Sequence, residues 1–369
     1  MTTATQRAEA TVERLDVSAY TVPTEGPESD GTLEWDATTL VVVEARAGGE
    51  VGIGFTYADA ASARLIESKL VGAVEGCDAM SVPAAWGAMA RAVRNLGRPG
   101  IASTAIAAVD VCLWDLKAKL VGLSLADLLG RVRDGVALYG SGGFTSYTVD
   151  ELQRQLAGWV EAGIASVKMK VGRAPEDDAQ RVRAAREAIG PGAELLVDAN
   201  GAYTRKQALA QAEAFADQGV TWFEEPVSSD DLEGLRLLRD RAPAGMAITA
   251  GEYGFDLVYF RRMLEAGAVD VLQPDVTRCG GITELLRVAA LSRAHEIPIS
   301  AHTAPSIHAH ACCALEPLAH VEYFHDHVRI ENMLFDGVLQ PVEGTLRPDP
   351  SRPGLGLELR RSDAAEYAI

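Results

Sequence analysis

The chain has 369 residues, 48% of them hydrophobic and 23% charged, which suits one large domain with a smaller companion and a sizeable buried core. Lys and Arg number 34 against 52 Asp and Glu, a formal charge of −18; this argues against nucleic acid and anionic membrane as partners. An anionic small molecule stays possible, because local cations reverse the field inside a site.

Residues 1–10 are polar and lack an apolar secretory core, and no uncharged apolar run reaches the length of a membrane span. The five cysteines (Cys77, Cys112, Cys279, Cys312 and Cys313) are odd in number and lack Cys-x-x-Cys spacing. They read as reduced core residues of a cytoplasmic protein. Residues 39–45 and 52–56 read as strands joined by a Gly-rich turn at 47–50. Before them, residues 20–35 hold two prolines, two glycines and four acids and read as a long functional loop. Gly52-x-Gly54 is no dinucleotide fingerprint, since Tyr57 stands where a third glycine belongs and no βαβ unit surrounds it. Helices are predicted over 60–74, 83–96 and 104–120, the last with Ile106, Val109, Leu113, Leu116 and Leu120 at helical spacing. A short one over 124–130 stops at glycine. Residues 1–133 therefore form an α+β domain.

After Asp134 strand and helix alternate. Strands are predicted at 137–141, 166–171, 194–198, 221–225, 247–251, 269–273, 298–301 and 321–324, with seven helical segments between them. This rhythm predicts an α/β parallel barrel over 134–332 rather than an open doubly wound sheet, whose Gly-rich phosphate turn is at best weakly matched by Gly140-Ser141-Gly142-Gly143. Residues 333–369, rich in Gly and Pro, would return to the first domain.

From the second predicted strand onward, each ends at or near a chemically useful residue: Lys168 and Lys170, then Asp198, Glu224, Glu252, Asp275, His302 and Glu322. In a barrel these ends converge on one mouth. Alternation puts Lys168 and Lys170 on one face of their strand, where crowding and desolvation would lower a lysine pKa. Any one of the acids is ordinarily a helix cap or a solvated charge. Asp198, Glu224 and Glu252 together would repel one another unless a cation sat among them, and an all-oxygen set favours Mg²⁺. Asp275 and His302 end neighbouring strands, where the carboxylate would fix the imidazole tautomer. His295, His308, His310, His320, His325 and His327 lack zinc-site spacing and read as helix-end or surface groups.

A metal with an ammonium base on one side and an imidazole on the other suits removal of a proton alpha to a carboxylate through a stabilised enediolate. Two bases on opposite faces of that carbon would invert it. If one instead protonated a leaving hydroxide, the result would be dehydration.

The motifs Asp110-x-x-x-Trp114-Asp115-x-Lys117-x-Lys119, Val167-Lys168-Met169-Lys170, Val197-Asp198-Ala199-Asn200, Trp222-Phe223-Glu224-Glu225-Pro226, Gly251-Glu252, Gln273-Pro274-Asp275 with Gly280-Gly281, and Ser300-Ala301-His302 resemble the mandelate racemase subgroup of the enolase superfamily over nearly the whole chain. The resemblance implies a modified TIM barrel, (β/α)7β, with an N-terminal α+β capping domain. It implies Asp198, Glu224 and Glu252 as Mg²⁺ ligands and Lys170 as one base, with Lys168 keeping it deprotonated and contacting the substrate carboxylate. His302, oriented by Asp275, would be the other acid/base, and Glu322 a hydrogen-bond donor or substrate contact. The muconate-lactonizing branch carries a lysine where this chain has Asp275. Lid loops at 20–35 and 54–58 would set specificity, with Glu25, Glu28, Asp30, Thr32 and Glu34 as contacts for hydroxyls. The expected activity is dehydration of a sugar acid, aldonate or aldarate, to a 2-keto-3-deoxy acid, with racemisation or epimerisation of a 2-substituted carboxylate as the alternative. The partner is a small carboxylate substrate, and a homo-oligomer is expected by analogy.

Overall fold

The computed structural model describes residues 10–369, so the reading of the first nine residues lies outside it. Three antiparallel strands, β1 (Arg14–Ser29), β2 (Glu34–Ala47) and β3 (Glu50–Tyr57), open the chain in the order β1-β2-β3. The expected loop at 20–35 is instead the far half of a hairpin. Strand β1 runs through Pro23 with a register shift between Pro23 and Glu28, and only a short turn before Glu34 is left as loop. Prolines are tolerated there because β1 is an edge strand and the irregularity absorbs the missing donors.

Helix α1 (Ile101–Leu120) crosses this sheet and is buried on nearly every side, because the sheet covers one face and the barrel the other. Gly52 and Gly54 make the approach possible: a Cβ on Gly54 would lie 2.3 Å from the Cys112 nitrogen and 2.4 Å from the Ala108 oxygen. The Gly-x-Gly pair is a helix-packing device, and the expected lid turn at 54–58 is largely strand β3.

Parallel strands β4 (Val136–Gly142), β5 (Ser166–Lys170), β6 (Glu194–Asp198), β7 (Val220–Glu224), β8 (Ala247–Ala250), β9 (Val271–Leu272), β10 (Ile299–Ala301) and β11 (Leu318–Phe324) follow in spatial order. Pairing of β11 with β4 closes the barrel. The strands are buried on both faces, which is why they read as near-continuous apolar runs. Helix α2 (Ile282–Ala294) joins β9 to β10, and α3 (His325–Leu334) follows β11. No helix of the described residues is long and apolar enough to cross a membrane.

The two domains are bonded at several places, one of them the segment that leads into α2. The Thr56 hydroxyl donates to the Thr277 carbonyl (2.8 Å) and the Trp86 indole to the Gly280 carbonyl (2.8 Å). Asp110 accepts from the Thr283 N–H (2.8 Å) and hydroxyl (2.6 Å). The tail also reaches back: Leu355 N–H donates to Asp115 (2.6 Å), and Arg361 pairs with Glu44 (2.6 Å).

Candidate active site

Parallel register lines up the ends of neighbouring strands, with Lys170 beside Asp198 and Asp198 beside Glu224. Glu252 follows β8, Asp275 follows β9, His302 follows β10, and Glu322 lies within β11. Just past these ends the backbone enters the left-handed region at Asn200 (φ 45°), Glu225 (φ 37°), Thr303 (φ 52°) and Ala304 (φ 41°). Non-glycine residues adopt it at a cost, and such strain gathers where side chains must be aimed.

Asp198, Glu224 and Glu252 are buried, with one oxygen of each within 4.8 Å of the others. Burial, then the Asp198 charge, pushes the Glu224 carboxyl up to about 7. Burial and the charge of Glu252 push Glu225 far above the usual carboxylate range. Glu224 Oε1 and Glu225 Oε1 are buried without a hydrogen-bond partner among the described residues. Crowded hard oxygens with an orphaned buried lone pair fit a small divalent cation, Mg²⁺ before a softer metal.

The lysines take different places. Lys168 is wholly buried, with Nζ 2.7 Å from Glu224, 2.9 Å from Glu322 and 3.5 Å from Asp198. It sits among carboxylates and is not part of the cleft lining. Lys170 opens on the cleft, with Nζ 2.5 Å from Asp198 and 3.1 Å from Asn200 Oδ1. The expected mutual depression is overridden: burial and the Lys168 charge pull the Lys170 ammonium down, but Asp198, Glu252 and Glu224 together raise it and the net shift is upward. Asn200, two residues after Asp198, was legible only as part of its motif.

On another wall, His302 Nδ1 lies 2.9 Å from Asp275 Oδ2 and Nε2 lies 3.1 Å from Glu252 Oε2. Burial lowers the imidazole, yet Glu252, Glu322 and Asp275 raise it to about 10. Asp275 is itself fixed by the Thr277 N–H (2.6 Å) and hydroxyl (2.7 Å). Glu322 is a carboxylate, lowered to about 2 by Lys168 and His302 against its burial. It accepts from the Thr303 N–H (3.1 Å) and lines the cleft. Arg278, which the motifs did not flag, lies between Glu252 (3.3 Å) and Asp275 (3.5 Å).

Several histidines expected at the surface are buried. His308 Nε2 accepts the Val276 N–H (3.1 Å) while Nδ1 bonds the Thr303 carbonyl (2.7 Å), tying together the loops that carry Asp275 and His302. His327 Nδ1 accepts the Ala304 N–H (3.2 Å) and its ring stacks on Tyr57; His310 is also buried, and His320 is half-buried.

A cleft of about 400 Å³ joins Lys170, Glu252 and His302 to Trp35, Thr38, Thr39 and Tyr57 of the capping domain. Of the expected lid contacts only Asp30 lines it. Glu28 is buried beside Asp326, Thr32 bonds Asp30 within the turn, Glu34 pairs with Arg173, and Glu25 lies near His325.

A capped parallel barrel whose mouth gathers a carboxylate triad, a lysine and an aspartate-held histidine defines a class of carbon-acid enzymes. Residues 19–130 match the mandelate racemase / muconate lactonizing enzyme N-terminal domain, and residues 151–364 the enolase C-terminal domain-like family. The chain belongs to this family, within the enolase superfamily. It is 31% identical over 363 residues to D-galactarolactone cycloisomerase of Agrobacterium fabrum, covering 93% of this chain and 95% of that one. It is also 31% identical over 363 residues to L-talarate/galactarate dehydratase of Salmonella typhimurium, covering 94% and 89%. Among solved structures, a mandelate racemase/muconate lactonizing enzyme-like protein from Rubrobacter xylanophilus superposes with a TM-score of 0.96 at 63% identity, over 97% of this chain and all 100% of that one. A racemase from Streptomyces coelicolor with bound magnesium gives 0.91 at 30% identity, over 97% and 100%.

Proposed function

We propose that this enzyme is a Mg²⁺-dependent sugar-acid dehydratase, removing water from an aldonate or aldarate to leave a 2-keto-3-deoxy acid. The observation that carries the reading is that Lys170 and the His302–Asp275 pair open on one cleft beside the carboxylate triad. Mg²⁺ held by Asp198, Glu224 and Glu252 would draw Asp198 away from the Lys170 ammonium and stabilise negative charge on the substrate carboxylate.

Lys170, as the neutral amine, takes the proton from C2. His302 gives its Nε2 proton to the hydroxyl on C3 as that C–O bond breaks, and water leaves. Asp275 holds the Nδ1–H throughout, so that Nε2 is the nitrogen that exchanges protons. The enol left behind takes up a proton at C3 and becomes the keto acid. Lys168, bonded to Glu224 and Glu322, fixes the carboxylates beneath the reacting carbon.

A library of aldonates and aldarates assayed with Mg²⁺ for 2-keto product tests this; turnover of none would overturn it. The placement of two proton-transfer groups on separate strands, β5 and β10, also serves racemisation or epimerisation at C2. Deuterium exchange at C2 without keto-acid formation would select that reading. The same proposal takes the enzyme to be a cytoplasmic homo-oligomer, by analogy with other barrel enzymes.

A further inference from the structure

The far end of the cleft bears on which sugar acids enter. Its cation-bearing side chains belong to the barrel: Lys170, Arg278 and the two histidines His302 and His327. Lys170 is held by Asp198, Arg278 by Glu252 and Asp275, and His302 by Asp275 and Glu252. Burial pushes His327 down to about 3, so it carries no charge near neutrality.

The capping side of the cleft is formed by residues from Asp30 to Asp59, among which no lysine, arginine or histidine lines it. It contributes two aspartates, Asp30 and Asp59, and Asp326 of α3 joins them. Behind Asp326 stands Arg329, 3.2 Å from Oδ1 but outside the cleft lining.

The hydrogen-bonding sense of this end matches its charge. Its side-chain donors are already committed: the Trp35 indole to Glu28 (3.1 Å), the Thr38 hydroxyl to Asp326 (3.1 Å) and the Tyr57 hydroxyl to the His327 carbonyl (3.3 Å). The Thr39 hydroxyl shares a bond with the Thr21 hydroxyl (2.9 Å) in which either can donate. Carboxylate oxygens remain. Asp30 uses Oδ1 for its own turn and Asp59 uses Oδ1 for the Ala61 N–H, leaving each an Oδ2. An end rich in acceptors and poor in donors suits sugar hydroxyls, which can donate. A carboxylate can only accept, and it would be desolvated against like charge.

We propose that the enzyme selects sugar acids with a single carboxylate, aldonates, and rejects the corresponding aldarates through Asp30 and Asp59. This rests on the sugar-acid reading above and narrows it. The carboxylate next to the reacting carbon goes to the barrel end, and the hydroxylated remainder points to the cap.

Matched pairs test it: D-gluconate against D-glucarate, and D-galactonate against galactarate, with Mg²⁺-loaded protein. Equilibrium binding and 2-keto product formation are measured in parallel. In each pair the monoacid should bind at least about tenfold more tightly, since juxtaposed like charges cost several kcal/mol and about 1.4 kcal/mol is a factor of ten. A diacid that binds as well as its monoacid overturns the proposal. Absence of product from all four acids would count against the dehydratase reading, while the binding ratio still decides charge selection. Asp59→Asn, at an exposed position, should narrow the ratio at least about threefold by improving the diacid. An unchanged ratio in both Asp59→Asn and Asp30→Asn would overturn the assignment to these residues.

Discussion

Asp110, on the capping-domain helix, caps a helix of the other domain: its carboxylate accepts from both the backbone N–H and the hydroxyl of Thr283, the second residue of α2. Gly281 allows the approach, since a Cβ there would meet Asp110 Oδ2 at 2.4 Å. Asp110→Ala would leave a buried N–H without an acceptor, and a loss of roughly 2–4 kcal/mol in urea unfolding is expected.

The same carboxyl gives a pH signature. Burial, partly offset by the Thr283 bonds, pushes it up to about 7, against about 4 in an unfolded chain. Between these values the folded protein binds the extra proton. Its contribution to stability is therefore complete below about pH 4 and lost as the pH rises through about 7. Asp110→Asn should flatten that segment of the stability–pH curve; a slope identical to the parent's would refute the account.

The hairpin tip rests on the barrel mouth at Gly31, where a Cβ would meet the Ala199 oxygen at 2.4 Å and the Val171 oxygen at 2.7 Å. Gly31→Ala should keep the tip from seating. Steady-state kinetics should then show kcat/KM reduced by at least about tenfold with the melting temperature little changed.

The two proton-transfer groups can be separated. Lys170→Ala should abolish exchange of the C2 proton, a loss of about 10²–10⁴ in rate. His302→Asn should stop dehydration, and C2 exchange followed by NMR in D₂O should survive if Lys170 alone removes that proton. Loss of exchange in His302→Asn with retention in Lys170→Ala would reverse the assignments.

Removing metal should weaken the fold as well as the activity. The triad repels itself without a cation, so added Mg²⁺ should raise the melting temperature and chelation should lower it, following mass action. In Glu224→Gln the Mg²⁺-dependent rise should shrink or vanish.

The barrel was legible because strands and helices alternate at a regular spacing after Asp134, and most of the strands end at or beside a polar residue that their position carries to the mouth. The same rule exposed Lys170, Asp198, Glu224 and His302. It did not expose His308 or Arg278. Nothing next to His308 in the chain hints at the Val276 N–H and Thr303 carbonyl that it bonds. In sequence the hairpin at 20–35 looks like a loop because Pro23 and Pro27 oppose an internal strand, and an edge position with a register shift is a tertiary fact. The lysine pair misled for a related reason. Sequence placed the two ammonium groups side by side but could not weigh Glu322 from the last strand, which lies 2.9 Å from Lys168.

The loop between β9 and α2 carries Asp275, the partner of His302, and with the first turn of α2 it is fastened to the first domain at Thr277, Gly280 and Thr283. The imidazole's partner is thus held by residues some hundreds of positions away in the chain, in a domain that supplies no proton-transfer group of its own. Unfolding of either domain would release that loop, so the two should melt in a single cooperative transition, with activity and capping-domain structure vanishing together.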